Sequence, residues 1–321
     1  MYELFRVLNK KVTGSAVNIR TAESIARRYG QAKKERKTEK GLTGNLRLHD
    51  LAHVVQSTLN SIKINSITLE MREGRPMWVK RRRPGSELIA GAANLFFHLA
   101  RALIRVWVDS KKWQRWEVDC YHLLYGHDFC AFAEGSRTVC VDTVPGESLL
   151  KHVTRGTLTP RILRAAAREF RRAHDLPCQD FGGPWSHGDP HLDNVIYDQS
   201  SDRVRLIDFE VVHDKSLPAV VRQADDLLVF LQDLIGRVSF EQWLPFALCF
   251  LNAYGRPEVM AELRNRLVVP SGVPGLWWKL RTEYLERREL IRRIDALRNA
   301  LDEKLNDSTI WQRFEPATTG V

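Results

Sequence analysis

Residues 185–210 read W-S-H-G-D-P-H-L-D-N-V-I-Y-D-Q-S-S-D-R-V-R-L-I-D-F-E, and the rest of the chain is interpreted from this stretch. It holds two acidic sites. The first is His187-Gly188-Asp189, with Asn194 five residues past the aspartate, and the second is Asp208-Phe209-Glu210. Between them lies a hairpin pattern: the β-prone run Val195-Ile196-Tyr197, a polar turn over Asp198 to Asp202, and a return over Val204 to Ile207 that alternates with Arg205. A hairpin of this size puts Asn194 and Asp208 at neighbouring strand ends, where both can reach one cation. Their oxygens are hard ligands of the kind that suits Mg²⁺ carrying nucleotide phosphates. Asp189, on the loop before, then sits where it can accept a proton from an attacking hydroxyl.

Taken together, H-G-D-x-x-x-x-N, a strand and I-D-F-E resemble the catalytic core of the protein-kinase-like phosphotransferases. The similarity is closest to the bacterial branch with aminoglycoside and choline phosphotransferases and lipopolysaccharide core kinases. The resemblance implies an α+β, two-lobed protein-kinase-like fold, with a small antiparallel-sheet N-lobe and a larger, mainly helical C-lobe. It also implies ATP and Mg²⁺ as cofactors. Protein kinases usually carry H-R-D and D-F-G at these places. Gly188 in place of the arginine points away from kinases regulated through a phosphorylated activation loop.

Upstream, Ile62 to Glu70 alternates apolar with polar, Glu73-Gly74-Arg75-Pro76 makes a turn, and Met77-Trp78-Val79-Lys80 returns as a strand. A lysine inside an apolar strand is a liability unless it holds an anion. Lys80 accordingly resembles the strand lysine that pairs with the α/β-phosphates of ATP. In kinase-like folds a helical glutamate holds that lysine. Glu117, within the helical pattern Trp113 to Tyr125, is the assigned residue, and Glu87 is the competitor closer in sequence to Lys80. The basic, tryptophan-containing segment around Lys80 and Glu117 is similar, more loosely, to the lipopolysaccharide core kinases. After a second hairpin pattern (Phe129–Phe132, Arg137–Asp142), the run V-D-T-V-P-G-E-S-L looks like the family's hinge. There, backbone groups of Asp142 and Val144 would meet the adenine edge. No G-x-G-x-x-G falls between residues 46 and 70, which fits the aminoglycoside and lipopolysaccharide branches and keeps a pseudokinase reading open.

Composition sets the outer bounds. The 321 residues can bury a core in one large or two smaller domains. A hydrophobic content of 44% with 27% charged residues describes a soluble globular protein. The net charge of +10 favours anionic partners (a nucleotide, a phosphorylated or carboxylated substrate, an anionic membrane surface or nucleic acid) without choosing among them. Five cysteines without a C-x-x-C pair argue against a zinc ribbon or a disulfide framework. Neither a signal peptide nor a transmembrane run is evident, so the expected location is cytoplasmic, with peripheral contact at the inner face of the membrane as the alternative.

The chain divides on this reading into an N-terminal basic arm (1–45), a kinase-like N-lobe (46–143) and a kinase-like C-lobe (144–321). Within the arm, Thr21 to Gly30 reads as a short helix that faintly suggests half of a helix-turn-helix. The mixed-charge sequel is not a recognition helix, and nucleic acid is not an expected partner. Gly85 to Val108 reads as one helix, apolar nearly all round, either buried between lobes or lying at a membrane interface. Helices are also expected over Pro160–His174, from Arg222 onward, over Glu241–Tyr254 and over Trp277 to about Lys304. His187 reads as a structural hydrogen-bonder, and Asp225, ahead of Asp226, as the brace of the catalytic loop. His191 and Asp193 have no specific role. The expected acceptor is a hydroxyl on a small molecule or glycolipid, with Ser/Thr protein kinase and a non-catalytic pseudokinase scaffold as the alternatives.

Overall fold

The computed structural model describes residues 64–72 and 74–306. The expected arm over 1–45, its short helix at 21–30, the start of the first strand at Ile62, the turn residue Glu73 and the tail past Trp311 lie outside the described residues.

The first part is a four-stranded antiparallel sheet in the order β1-β2-β5-β4, with β1 Asn65–Arg72, β2 Arg75–Arg82, β4 Ala131–Glu134 and β5 Thr138–Asp142. The period-2 pattern gives the two faces opposite characters. Met77 and Val79 point to one side and meet Cys140 there. Lys80 and Arg82 point to the other, where Val139 and Val141 of β5 join the main core together with helix α2 (Ser110–Tyr125). Asp109 starts α2 by accepting the backbone N–H groups of Lys111 and Lys112.

The segment 85–108 departs from the expected single helix. Helix α1 runs only over Ser86–Leu99, and Arg101 then adopts a left-handed φ of 54° that ends it. The I-R-V-W-V run, β-branched and aromatic, follows as strand β3 (Ile104–Val106). Nor is α1 buried: Ser86 and Ala90 are its buried residues, while Leu88, Leu95 and Leu99 are exposed. The other end of β3's pairing is β11 (Val211–His213), directly after the D-F-E site, in the register Val106↔Val211 and Ile104↔His213.

The remainder is mainly helical. Strands β6 (Glu147–Ser148), β9 (Val195–Asp198) and β10 (Arg203–Leu206) form a small sheet in the order β10-β9-β6, and β7 (Pro177–Cys178) pairs with β8 (Gly183–Pro184). Helix α3 covers Leu149–Thr154. Helix α4 (Pro160–Asp175) is capped by Thr159 and buries Ile162, Leu163, Ala166, Phe170 and Ala173. Helix α5 (Ala219–Ile235) is buried nearly all round because α4, α6 (Phe240–Tyr254) and α7 (Pro257–Arg266) surround the same core; Phe170, Phe230 and Phe250 meet at its centre. The expected single helix from Trp277 to Lys304 is two. Helix α8 (Gly272–Arg281) and helix α9 (Arg287–Asn306) are separated by a link in which Glu283 and Tyr284 take left-handed φ values of 49° and 60°. A continuous helix cannot pass through two such residues. No helix among the described residues is long and apolar enough to cross a membrane.

Candidate active site

Helix α2 organises the site through one face. Glu117, Tyr121 and Tyr125 stand at i, i+4 and i+8, so all three project the same way. Tyr125 donates to the carbonyl of Leu206 and accepts from its N–H, both at 2.6 Å, which fixes the end of β10. Tyr121 accepts from the backbone N–H of Asp208 at 3.5 Å. Glu117, 0% exposed, accepts from Lys80 Nζ at 2.5 Å. The same ammonium donates to Asp208 Oδ1 at 2.8 Å. Glu87, the competing candidate, is instead at the surface with Arg137.

Lys80 therefore bridges two carboxylates at 5% exposure. Burial alone would depress the lysine, but Asp208 and Glu117 outweigh it and hold its pKa well above the usual value. Burial raises Glu117. Asp208 lies below the normal carboxylate range, because Lys80 overcomes the burial that would raise it. Glu210, which has no assigned role in the sequence reading, is also in this cluster. Burial, followed by the nearby charge of Asp208, pushes its pKa up to about 8, and Asn65 Nδ2 donates to its Oε1. Beside Lys80, Arg82 lies over the ring of Trp113 at 4.7 Å, with its Nε and Nη2 buried and unpartnered. The phenyl ring of Phe209, between the two acidic residues, packs edge-on to Tyr121 and Trp185.

The loop carrying Asp189 is built on buried hydrogen bonds. The Asp226 carboxylate accepts the backbone N–H of His187 and that of Gly188, each at 2.7 Å, and also His174 Nε2 at 3.0 Å. The brace is thus Asp226; the favoured Asp225 faces the other way and meets His213 at 3.2 Å. On α5, adjacent positions are turned about 100° apart, so only one of the pair can face the loop. His187 Nε2 faces the carbonyl of Ile207 at 3.1 Å, so this nitrogen must carry the proton, and Nδ1 accepts from Asp189 N at 3.3 Å. Burial lowers the His187 pKa and keeps the ring neutral. His191 Nδ1 accepts from Asp193 N at 3.3 Å, a contact within the loop. Asn194 Nδ2 donates to the carbonyl of Asp189 at 3.0 Å, so its side-chain oxygen is the atom available to a cation.

Gly188 has a physical reason to be glycine. Its φ is +93°, and a Cβ there would stand 3.1 Å from the carbonyl oxygen of Val211. The pairing of β11 with β3 holds Val211 close, so no side chain, arginine included, fits without displacing that strand. Asp208 itself has φ 68°, a strained value for a non-glycine residue at a site already marked by charge.

At the expected hinge, the backbone N–H of Asp142 donates to the carbonyl of Cys130 at 2.8 Å, so this N–H is committed to protein. Val144 follows in the half-buried link to β6. One contact had no signal in the sequence: Arg281 Nη2, from α8, lies 3.1 Å from Asp189 Oδ1. The residues are separated by 92 positions with no pattern linking them, and only tertiary packing brings them together.

The donor set suits Mg²⁺. Asp208 and Asn194 offer hard oxygens, with Glu210 beside them, and among the described residues no group of three or more His, Cys, Asp or Glu forms a self-sufficient cage. A cation held through one or two protein oxygens, with phosphates and water as its other ligands, is what Mg²⁺ prefers.

No protein-family model matches this chain, and no curated protein matches it. Among solved structures it is similar to Plasmodium vivax ethanolamine kinase, with 10% identity and a TM-score of 0.39, over 81% of this chain and 86% of that one.

Proposed function

We propose that this chain is a phosphotransferase that moves the γ-phosphoryl group of ATP to a hydroxyl of a small molecule or glycolipid. The observation that carries the reading is Lys80, buried and shared between Glu117 and Asp208, with Asp189 and Asn194 on the adjoining braced loop. A lysine held by two carboxylates is a preorganised cation, and phosphoryl transfer depends chiefly on placed charge.

The geometry supports the following roles. Lys80 binds the α/β-phosphates, with Glu117 as its anchor. Asn194 and Asp208 would hold Mg²⁺, which when bound neutralises charge on the phosphates. Asp189 orients the acceptor hydroxyl and takes its proton as the oxygen bonds to the γ-phosphorus; the bond from that phosphorus to the β–γ bridging oxygen breaks, and ADP leaves. The sheet face around Lys80 supports a place for the base. Leu69 and Trp78 are cross-strand partners on that face and remain 55% and 41% exposed. Exposed apolar side chains beside a buried cation fit a flat ring joined to phosphates. The backbone of the Asp142–Val144 segment, apart from the committed Asp142 N–H, is the proposed edge contact.

The test is ATP consumption by the full-length protein with Mg²⁺ against lipopolysaccharide core, an aminoglycoside panel and a generic protein substrate, beside Asp208→Ala. Turnover on one class that is lost in the variant is the expected result. Absence of both turnover and Mg·ATP stabilisation against heat would refute the reading.

A further inference from the structure

A cavity of about 730 Å³ has Arg281 in its wall; Asp189, which Arg281 meets, is not among the residues that line it. Its walls are the end of α1 and the start of β3, one stripe of α5 (Asp225, Leu228, Val229 and Gln232), the segment after α7, and α8. The size is that of a small-molecule site. Leu99, Leu228, Val268 and Trp277 supply apolar surface, and three arginines, Arg101, Arg266 and Arg281, line it. Asp225 is the one acidic side chain of the lining, and it is engaged by His213.

Arg281 belongs to both places. Its side chain is 10% exposed, its guanidinium lies 4.4 Å over the ring of Trp277, and its Nη2 meets Asp189. Its Nε is buried without a partner. A buried guanidinium nitrogen with no acceptor is costly unless a ligand supplies one. Arg101 stands at the cavity with the left-handed φ noted above, a conformation that costs energy and places a second cation there. Meanwhile the Arg281 ion pair engages Oδ1, one of the two carboxylate oxygens that Asp189 can offer to a hydroxyl.

Resting on the phosphotransferase reading, we propose that this cavity is the acceptor site, that it takes a hydroxyl compound bearing both an apolar portion and a phosphate or carboxylate, and that Arg281 acts as a latch that moves from Asp189 to that anion when the acceptor seats. The apolar walls hold the hydrocarbon part, Arg101 and Arg281 hold the anion, and Asp189 Oδ1 is released when the acceptor seats. Water entering alone brings no anion to draw Arg281 away, so the latch also disfavours wasteful ATP hydrolysis.

The test is nucleotide-free calorimetry on the full-length protein with three probes: 1-octanoylglycerol 3-phosphate, monooctanoylglycerol and inorganic phosphate. The conjugate should bind about tenfold or more tighter than either half alone. Arg281→Gln should weaken the conjugate about tenfold and leave monooctanoylglycerol nearly unchanged. Arg101→Gly, which relieves the backbone while removing the charge, should act in the same direction and guards against a folding defect at Arg281. The latch makes a sharper demand. Asp189→Asn releases Arg281 and should tighten the conjugate several-fold, with no effect on the neutral probe.

Equal binding of the conjugate and monooctanoylglycerol, or an Asp189→Asn variant that binds the conjugate no better, overturns the inference. Binding of phosphate as tightly as the conjugate also overturns it, by removing the apolar half. Mg·ATP protection against heat, measured on the same protein, tests the underlying reading separately. Protection without charge preference among the probes sinks this inference alone. Charge preference without protection sinks the phosphotransferase reading, and the acceptor role with it.

Discussion

Replacing Asp226 by alanine tests how the loop carrying Asp189 is held. The carboxylate is fully buried and accepts from two backbone N–H groups, of His187 and Gly188, and from the imidazole of His174. Alanine leaves those two amides without an acceptor where water does not reach. Each orphaned donor costs about 1–3 kcal/mol, so the pair should cost about 2–6 kcal/mol. For an m-value of about 3 kcal/mol/M, that lowers the urea midpoint by roughly 1–2 M. Function should fall further than stability. Gly188 is the neighbour of Asp189, and a shift of about 1 Å at a reacting group costs on the order of 100-fold in turnover. Asp225→Ala is the matched control, since that carboxylate holds only His213 at 3.2 Å and should cost about 1 kcal/mol. Urea unfolding followed by tryptophan fluorescence, with ADP release at low denaturant, reads both quantities. An Asp225 variant that loses more than the Asp226 variant, or an Asp226 variant with an unchanged midpoint and rate, would refute the assignment.

Three further outcomes are expected. Lys80→Met leaves Glu117, Asp208 and Glu210 together without their cation, at a cost of about 3–5 kcal/mol near pH 8. Thermal unfolding should fall by on the order of 10 °C there and by less at pH 5.5, where carboxylates can take up protons; equal losses at both pH values would contradict the charge account. Glu210, with its pKa raised to about 8, binds a proton in the folded state that the unfolded chain has released above about 4.5. Its contribution is therefore complete below 4.5 and is lost as pH rises toward 8, at up to about 1.4 kcal/mol per pH unit. Glu210→Gln should flatten that slope in chemical denaturation, and an unchanged slope would exclude Glu210 as its source. Gly188→Ala should cost about 1–3 kcal/mol from the left-handed backbone and the approach of Val211, together with a loss of turnover, measured by urea unfolding and ADP release; a stable, fully active variant would show that the loop has slack.

What the sequence revealed, and what it concealed, follows the range of the interactions. The hairpin between the two acidic sites was legible because its spacing is local: Asn194 and Asp208 flank it, and Ile207 N–H bonds the carbonyl of Asn194 at 3.0 Å. Strands β2, β4 and β5, and helices α2, α4 and α6, follow from alternation or from apolar spacing with a good cap. The expected helix over 85–108 failed because composition alone does not separate a helix from a following strand, and the left-handed Arg101 carries no residue signature. The break between α8 and α9 was missed for the same reason. Choosing between Asp225 and Asp226 requires the rotation of α5, which depends on packing against α4 and α6. Arg281 lies beyond any local pattern, and so do the burial of Glu210 and the cavity behind Arg281.

The β3–β11 seam has a kinetic consequence. Its two strands are separated by on the order of 100 residues, so the chain must close a long loop before Ile104 can meet His213. Non-local pairings of this kind form late and slowly. The backbone beyond Phe209 is therefore set in the last stages of folding. A chain released before that closure would hold its helices but lack the strand that shapes Gly188, so the capacity to react should emerge abruptly, in step with the final cooperative transition.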